Sequence, residues 1–316
     1  MSDERRVVTV RGLLDPARLG ATLAHDHVLI DAFAMYGETS ADYAWIIDDP
    51  TVAIDELTRF RDAGGGAICD PTNVGLGRDP VALRAISEAT GVHIVMGAGW
   101  YRERVYPAEI ATTSATALAA SLVHELVNGV GTTGVRAGFI GEIGTGRGAI
   151  TPAEERVFRA AARAHRATGA PIMTHTTHFG ELAVEQLDLL AEEGVAATSV
   201  IVSHLGDRPG IASILPIAER GAWLGIDNLG FEASYASLEA RADNVAALWE
   251  AGHGDRILLA SDICRTDQLV THGGAGYAGV LTRFVPLLHE RHLGDDQVRT
   301  MLVDNPGRAF GYPARP

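Results

Sequence analysis

The sequence predicts a single closed (β/α)₈ barrel, or TIM barrel, over residues 1–316. Short apolar runs alternate eight times with longer stretches of helical periodicity, which is typical of parallel strands covered by helices. No Ser/Gly-rich linker, charge run or shift in composition divides the chain, and this favours one closed barrel over an open doubly wound sheet. A chain of 316 residues with 47% apolar residues is long enough for the large core of such a domain.

The eight apolar runs are the predicted strands, to within a few residues at each end. They cover residues 21–25, 66–70, 93–98, 138–142, 170–175, 199–204, 222–227 and 257–262. Each run is about five residues long and is followed by a stretch in which apolar residues recur at helical spacing. This order is expected of parallel strands, because a helix must return the chain to the start of the next strand.

The predicted helices lie between these runs. They cover residues 51–63, 79–90, 107–127, 152–168, 181–193, 210–220, 238–251 and 276–291. The fourth is the best marked, because Thr151-Pro152-Ala153-Glu154 offers an N-cap hydroxyl, a proline at the first helical position and a carboxylate at the third. Gly169 is the predicted stop of this helix.

Charge and composition exclude several classes of protein. The chain has 26 basic and 40 acidic residues and a net charge of −14, which argues against nucleic acid or an anionic membrane as a partner. No apolar run approaches the roughly 18 residues of a membrane span, and no signal-peptide pattern follows the charged N-terminus. Cys69 and Cys264 are expected to be buried small residues or reactive thiols rather than a disulfide. We expect a soluble, cytoplasmic protein.

Side chains that bind metals interrupt the apolar runs where the predicted strands end. His25 and His27 close the first run, and their two-residue spacing directs both imidazoles to the same side of a strand. The other candidates end the fourth, fifth, sixth and eighth runs and are Glu142, His175, His204 and Asp262. Catalytic residues of (β/α)₈ barrels lie at the carboxyl ends of strands, so these six side chains are expected to converge. They are enough for two divalent cations that share one carboxylate and a bridging hydroxide.

Each candidate alone also has an ordinary structural explanation. His175 or His204 could be a hydrogen-bonded core residue, Asp262 could cap a turn, and Glu142 could pair with Arg147. Six coincidences at the same end of different strands favour the metal site. The remaining histidines are predicted not to be ligands, because they lie at strand starts, in helices or in loops: His93, His124, His165, His178, His253, His272, His289 and His292.

With these residues in place, the chain resembles the phosphotriesterase family of the amidohydrolase superfamily, in its phosphotriesterase-related and lactonase branch. The resemblance extends over nearly the whole chain through five segments, which are Val10-Arg-Gly-Leu-Leu-Asp-Pro16, Leu19-Gly-Ala-Thr-Leu-Ala-His-Asp-His27, Val74-Gly-Leu-Gly-Arg-Asp79, Thr151-Pro-Ala-Glu-Glu155 and Asn305-Pro-Gly-Arg308. Their order and spacing make the resemblance specific. It implies a small-molecule hydrolase that forms a homodimer.

The resemblance also implies an arrangement of the ligands. His25, His27 and Asp262 would hold a more buried metal, and His175 and His204 a more exposed one. The best-known members bridge the two ions with a carboxylated lysine, but this chain contains no lysine and has Glu142 at the matching strand end. A glutamate supplies two anionic oxygens in the same way and occurs in the phosphotriesterase-related branch. The expected cofactors are two divalent ions, Zn²⁺ by default, with Mn²⁺, Co²⁺ or Fe²⁺ as alternatives.

Further residues acquire roles through this resemblance. Two cations lower the pKa of a bridging water, and Asp262 would pass its proton towards the leaving group. Asp207 matches a family position that relays this proton, although a cap on the next helix is an equal alternative. Asn228 stands where organophosphate-cleaving members tend to have histidine and lactonases arginine, and it can carry neither the proton nor the charge. Asp227 either orients a ligand or simply ends the seventh strand.

The loops after the strands are expected to select the substrate. Aromatic residues of the first and third loops would form an apolar wall, and Tyr101 resembles a lactonase pocket tyrosine. Arg102, Arg104 or Arg265 could hold a carboxylate or phosphate of the substrate. The first hypothesis is hydrolysis of a lactone or related carboxylic ester, with weak phosphotriester cleavage. The alternatives are hydrolysis of an N-acyl amide at the same metal centre and a non-enzymatic binding barrel. A Schiff-base aldolase is disfavoured because it would need a lysine.

Overall fold

The structure is a computed structural model and describes residues 4–177, 181–231 and 235–314. Eight parallel strands form one sheet in which each strand pairs with its neighbours in chain order. The first and last strands meet where the N–H of Ala24 donates to the carbonyl of Leu259 at 3.1 Å. The predicted (β/α)₈ barrel is therefore confirmed.

The strands agree with the predicted runs to within a few residues. They are β1 (Ala21–Leu23), β2 (Gly65–Asp70), β3 (His93–Ala98), β4 (Phe139–Gly144), β5 (Ile172–His175), β6 (Val200–Val202), β7 (Trp223–Ile226) and β8 (Ile257–Leu259). Buried side chains from these strands fill the barrel interior, among them Cys69, Val95, Phe139, Met173 and Leu258. The interior is thus a packed core, and the space for a site lies beyond the carboxyl ends of the strands.

The helices that surround the barrel differ more from the prediction. They are α1 (Pro50–Asp62), α2 (Pro80–Thr90), α3 (Ala115–Val127), α4 (Pro152–Thr168), α5 (Ala183–Glu192), α6 (Leu215–Ala218), α7 (Leu238–Glu250) and α8 (Val285–Glu290). The bounds of α4 are as predicted, with a capping box between Thr151 and Glu154 and with Gly169 left-handed at φ 80°. The side chain of Ser114 caps α3, so the helix begins there rather than at Pro107.

Two predicted helices are shortened or altered for reasons of backbone chemistry. The helix predicted over residues 210–220 is reduced to α6, because Gly210 is left-handed at φ 76° and Pro216 can occupy only a first turn. The helix predicted over residues 276–291 begins as a π-helical turn, Val280–Phe284, before α8. Pro286 lacks the N–H that a regular helix would use at this point.

Elements outside the predicted runs close the barrel's amino end. An antiparallel hairpin of Val7–Thr9 and Gly12–Leu14 precedes β1, and short helices at Asp295–Arg299 and Asn305–Phe310 follow α8. Phe310 packs against Phe139 inside the barrel, with ring centroids 5.4 Å apart.

The first loop, which follows β1, has secondary structure of its own. It contains a short helix, Phe33–Tyr36, and a strand pair of Ile30–Asp31 with Ile46–Ile47.

Two further expectations concern the cysteines and the membrane. Cys69 and Cys264 are both buried and free, as expected of residues that pack rather than cross-link. Within residues 4–177, 181–231 and 235–314, none of the helices has the length and apolar character needed to span a bilayer.

Candidate metal centre

All six candidate ligands converge at the carboxyl end of the barrel. Glu142 lies within β4 and His175 ends β5. His25 and His27 follow β1, His204 follows β6 and Asp262 follows β8 within a few residues. Five of the six residues are at most 8% exposed, and the side chain of the sixth, Asp262, is 13% exposed. The structure therefore brings these six residues together, as the sequence predicted.

Glu142 lies at the centre of the cluster. One of its carboxylate oxygens is 3.0 Å from the Nδ1 atom of His175. Its oxygens are also 3.6 Å from the Nε2 atoms of His25, His27 and His204. Glu142 therefore contacts all four imidazoles, and the alternative pairing with Arg147 is not the arrangement that the structure shows.

The ligand atoms form two groups that could each hold an ion. The first contains His25, His27 and Glu142, and the second contains Glu142, His175 and His204; within each group the ligand atoms lie within 4.8 Å of one another. Asp262 adds a carboxylate oxygen 3.6 Å from His25 Nε2 and 3.8 Å from His27 Nε2. Ligands bound at about 2.1 Å to one ion are separated by roughly 3 to 3.6 Å. The 3.6 Å spacing between Asp262 and His25 therefore fits a shared cation, and the wider spacings would contract when an ion binds.

The opposite ring nitrogens of the histidines are each held by another side chain. His27 Nδ1 donates to Thr72 Oγ1 at 2.7 Å, because the Thr72 hydroxyl itself donates to the carbonyl of Leu29. His204 Nδ1 donates to Asp227 Oδ1 at 3.1 Å. In a neutral imidazole this arrangement leaves the lone pair of Nε2 directed at the centre of the cluster, as a metal ligand requires.

The other two imidazoles are oriented in the same way. His25 Nδ1 lies 3.0 Å from Ser203 Oγ and 3.4 Å from Asp227 Oδ2. His175 Nε2 lies 3.1 Å from the hydroxyl of Tyr101. Asp227 therefore orients His204 through a hydrogen bond and lies beside His25, in agreement with one of the two interpretations that the sequence left open.

The backbone at two of the candidate ligands is strained. His204 has a φ of 62° and Asp262 a φ of 54°, a left-handed conformation that costs most residues free energy. Asp262 is held in place because the carboxylate of Asp26 accepts hydrogen bonds from Ser261 and Ile263 on either side of it. Strain that the surrounding structure maintains is typical of functional sites.

Burial and neighbouring charges divide the four imidazoles into two pairs. Burial lowers the pKa of His27 and that of His175 to about 3 each, so both rings are neutral. Burial acts in the same direction on His25, but the negative charges of Glu142 and Asp227 outweigh it and raise the pKa to about 9. For His204, burial is outweighed by the charges of Asp227 and Asp262, and the pKa lies well above its ordinary value.

The carboxylates show why this cluster suits cations. Burial raises the pKa of Asp262 to about 7. Burial would also raise the pKa of Glu142, but the charge of His25 and hydrogen bonds from the imidazoles hold it well below its usual range. The buried Nε2 atom of His25 has no hydrogen-bond partner among the described residues. The cluster thus attracts positive charge and directs free donor atoms inward, so its residues fit divalent metal ions.

A cavity of about 300 Å³ opens onto this cluster. Tyr101, Asn228 and Asp207, three of the residues predicted to act on the substrate, line it together with Asp262. Asp207 does not cap the next helix, because α6 begins eight residues later at Leu215 and its N-cap is Ile214. The cavity wall also contains Tyr36 and Trp45 of the first loop, in agreement with the expected aromatic wall.

Arg265 is the predicted substrate residue that the structure places elsewhere. Its guanidinium makes hydrogen bonds of 2.7–3.3 Å to the carboxylate of Asp267 and lies 4.6 Å from the ring centroid of Trp45. It lines a neighbouring, larger cavity of about 690 Å³ beside the eighth loop, and Trp45 lines both cavities. The sequence could not reveal that Arg265 pairs with Asp267. The two residues lie in a loop, and the loop conformation decides whether their side chains meet. His178, predicted not to be a ligand, lies outside the described residues.

Sequence reasoning missed several of the residues that orient the ligands. Thr72, Ser203 and Asp26 were not singled out, and Tyr36 was only one of the first-loop aromatic residues expected to form an apolar wall. The hydroxyl of Tyr36 lies 2.5 Å from that of Tyr101, which extends the contact of His175 by one more side chain. The one available signal was position, because Ser203 and Asp26 directly adjoin candidate ligands in the sequence.

Comparison with known proteins agrees with this geometry. Residues 5–310 match the family model described as the phosphotriesterase family. The phosphotriesterase homology protein of Escherichia coli (strain K12) is 36% identical over 291 residues, which cover 92% of this chain and 98% of that protein. The N-acetyltaurine hydrolase of Homo sapiens is 30% identical over 338 residues, which cover 95% of this chain and 96% of that enzyme.

A solved structure shows the same relationship in three dimensions. The lactonase Lmo2620 from Listeria monocytogenes superposes with a TM-score of 0.90 at 30% sequence identity, over 97% of this chain and 99% of that one. The matched family model covers nearly the entire barrel, and two of the three relatives named above are a hydrolase and a lactonase. The chain therefore belongs to the phosphotriesterase family and is a metal-dependent hydrolase.

Proposed function

We propose that this protein is a binuclear metal hydrolase that cleaves a lactone or a related carboxylic ester, with weak phosphotriester cleavage. One observation carries the proposal: a single carboxylate, Glu142, lies within 3.6 Å of four imidazoles, and each imidazole is oriented by another side chain. A bridging ligand between two ions needs this central position. Two divalent ions, Zn²⁺ by default, are the proposed cofactors.

The residues divide the work as follows. His25, His27 and Asp262 would hold one ion, His175 and His204 the other, and Glu142 both. When bound, such cations lower the pKa of a water molecule and polarise a carbonyl or phosphoryl oxygen. Thr72, Ser203, Asp227 and Tyr101 keep the imidazoles in the ligating orientation.

Asp262 is the best placed proton acceptor of the cluster. Its side chain is 13% exposed, against 3% for that of Glu142, so it is the carboxylate that faces the cavity. From there it can take up the proton of the attacking water and pass it towards the leaving group. Asp207, which lines the same cavity, is proposed to receive the proton next.

The surroundings of the cavity suit a small acyl compound. Ile30, Tyr36, Trp45 and Leu76 give the cavity an apolar wall, which would exclude water from the acyl group. Asn228 reaches the cavity and can donate a hydrogen bond, but it cannot act as a proton carrier. A volume of about 300 Å³ is at the lower end of the usual range for ligand pockets, so a compact substrate fits best.

Hydrolysis of an N-acyl amide at the same centre is the second candidate. It is favoured by the similarity to enzymes named N-acetyltaurine hydrolase, which are 30–32% identical over 95% of this chain. Amide and ester hydrolysis use the same attack on an acyl carbon and differ in how much help the leaving group needs with its proton. Asp262 and Asp207 would supply that help in either reaction.

A hydrolysis screen of the metal-loaded enzyme tests the proposal. The substrates are a series of lactones, N-acyl amino acids and aryl phosphotriesters, and the Glu142→Ala variant is the control for the metal centre. The lactones should give the highest kcat/KM, with aryl phosphotriesters far behind. Preference for the N-acyl compounds would replace the first candidate by the second, and no metal-dependent turnover of any class would reject both. A homodimer, a cytoplasmic location and the absence of nucleic-acid or membrane partners stay predictions.

A further inference from the structure

Arg102 is a cationic side chain of the cavity wall that the proposed reaction does not use. It follows Tyr101 and lines the same cavity as Glu142, His175 and Asp262. Its side chain is half-buried, and its Nε atom is buried with no hydrogen-bond partner among the described residues. A buried guanidinium N–H normally donates to an acceptor, so the Nε–H of Arg102 lacks a hydrogen-bond acceptor that a ligand could supply.

The carboxylate next to Arg102 does not provide this partner. Glu154 and Arg102 both reach within 4 Å of the Cβ position of Gly146, but the two oxygens of Glu154 accept the backbone N–H groups of Gly146 and Thr151 at 2.8 and 3.0 Å. Between the described side chains of Arg102 and Glu154 there is no ion pair. Arg102 therefore keeps its positive charge available to the cavity.

The position of Arg102 is fixed by its surroundings. The carbonyl of Tyr101 accepts the N–H of Gly144 at 2.7 Å, which ties the loop to the end of β4. A Cβ atom at Gly144 would lie 3.0 Å from Arg102 Cγ and 3.0 Å from His175 Cβ, so a larger residue at Gly144 would crowd the arginine stem beside His175. The packing at this strand end therefore places a guanidinium at the edge of the metal cluster.

Other arginines near the barrel mouth do not share these properties. Arg265 is neutralised by Asp267 and lines the larger cavity. Arg104 is exposed and does not line the cavity of the metal cluster. Arg147 lines that cavity, but its side chain is exposed, where water weakens its attraction for an anion. Among the three arginines that the sequence offered for substrate binding, Arg102 is the one that the structure places at the cluster's cavity.

We propose that Arg102 is a specificity-determining residue that binds an oxyanion of the substrate, a carboxylate, sulfonate or phosphate group remote from the bond that is cleaved. The inference rests on the proposed function, because it assumes that the substrate is hydrolysed in this cavity. The substrate is then a small acyl compound with one end at the metal cluster and a negatively charged group at Arg102. A planar guanidinium suits such a group, since it donates two parallel hydrogen bonds.

Matched pairs of substrates test this proposal. N-Acetyl-β-alanine is compared with its primary amide, and a γ-lactone that carries a carboxylate is compared with its carboxamide. The wild-type enzyme should prefer the charged member of a pair by about tenfold or more in kcat/KM. In Arg102→Met this preference should fall by about 10- to 100-fold, mainly through KM, while kcat/KM for the neutral member changes by less than about threefold.

Two further variants separate binding from folding. Arg102→Lys keeps the charge and should retain a preference for the charged member, intermediate between wild type and Arg102→Met. Arg104→Met removes an exposed arginine of the same loop and should change kcat/KM for neither member of a pair. If Arg102→Met lowers the rates for both members equally, or lowers neither, Arg102 does not bind the anion.

A binding measurement distinguishes failure of this inference from failure of the proposed function. Titration calorimetry with ethanesulfonate, which is a weak metal ligand, measures the anion site without hydrolysis. The Kd should rise about tenfold or more in Arg102→Met and stay unchanged in Arg104→Met. Such binding without hydrolysis of any substrate would retain the anion site and reject the proposed reaction. Hydrolysis by an enzyme whose affinity for ethanesulfonate does not depend on Arg102 would retain the proposed reaction and reject the anion site.

Discussion

The carboxylate of Asp26 accepts hydrogen bonds from the backbone N–H groups on both sides of Asp262, from Ser261 at 3.0 Å and from Ile263 at 2.9 Å. The N–H of Asp262 itself donates to the carbonyl of His25 at 3.1 Å. The residue between two candidate ligands of the first strand thus positions a third candidate ligand after the last strand. Its side chain is fully buried, so these bonds are shielded from competing water.

Replacement of Asp26 by alanine should therefore weaken both the metal site and the fold. Two buried N–H groups would lose their acceptor, at a cost of about 2–4 kcal/mol in the free energy of unfolding. The affinity for metal should fall by about 10- to 100-fold. Chemical denaturation and elemental analysis after dialysis measure the two effects. Asp243→Ala, which removes an exposed partner of Arg291, should change stability by less than about 1 kcal/mol. Unchanged metal content in Asp26→Ala would show that Asp26 does not position Asp262.

Thr72→Val tests whether the orientation of His27 matters for metal binding. The substitution keeps the shape of the side chain but removes the acceptor of His27 Nδ1–H, so the affinity for metal should fall by about 10- to 100-fold. Thr174→Val is the matched control, because the hydroxyl of this buried threonine has no hydrogen-bond partner within the described part of the chain. Competition with a chromophoric chelator measures the affinities. Equal affinities of the two variants would contradict the assigned role of Thr72.

Metal ions should stabilise the folded protein in a concentration-dependent manner. A ligand at 100 times its Kd contributes about 2.7 kcal/mol, which corresponds to an increase in Tm of several degrees for a domain of this size. Glu142→Ala should reduce this increase to less than half, because Glu142 belongs to both groups of candidate ligands. Differential scanning calorimetry of chelator-treated protein with added Zn²⁺ checks the prediction. A full increase in Tm for Glu142→Ala would rule out the bridging role.

Asp262→Asn should separate function from stability. Asparagine tolerates the left-handed backbone better than most residues, and it removes a buried carboxylate from a crowded cluster. The free energy of unfolding of the metal-free variant should thus equal or exceed that of the metal-free wild type, whereas kcat/KM should fall by more than about 100-fold. Urea denaturation and steady-state kinetics measure the two quantities. A loss of stability above about 1 kcal/mol would show that the carboxylate stabilises the fold even without metal.

The fold could be predicted wherever the sequence itself contains the signals. The cap at Thr151 and the stop at Gly169 gave the bounds of α4 because both act within one helical turn. The N-terminal hairpin was not predicted, since its strands are only three residues each and their place depends on contacts with the barrel floor. The irregular start of α8 depends on Pro286, whose effect on the preceding turn the helical periodicity does not reveal.

For the site, the candidate ligands could be predicted from the sequence, whereas the residues that orient them mostly could not. Imidazoles and carboxylates at the ends of apolar runs are rare enough to be recognised in a sequence. The hydroxyls that orient them are common, and their partners are distant: Thr72 is 45 residues from His27, and Ser203 is 178 residues from His25. Only the folded barrel shows these pairs. The state of Arg102 could not be predicted for the same reason, because it depends on which carboxylates lie nearby.

The location of the candidate ligands has a consequence for how the protein assembles. His25 and His27 come from the first strand, Asp262 comes from the last, and the two strands join at the seam where Ala24 donates to Leu259. A cation shared by these three side chains would act as a staple across that seam. The ion would bind with full affinity only after β1 and β8 have paired, so uptake of the ion would report the final stage of barrel closure.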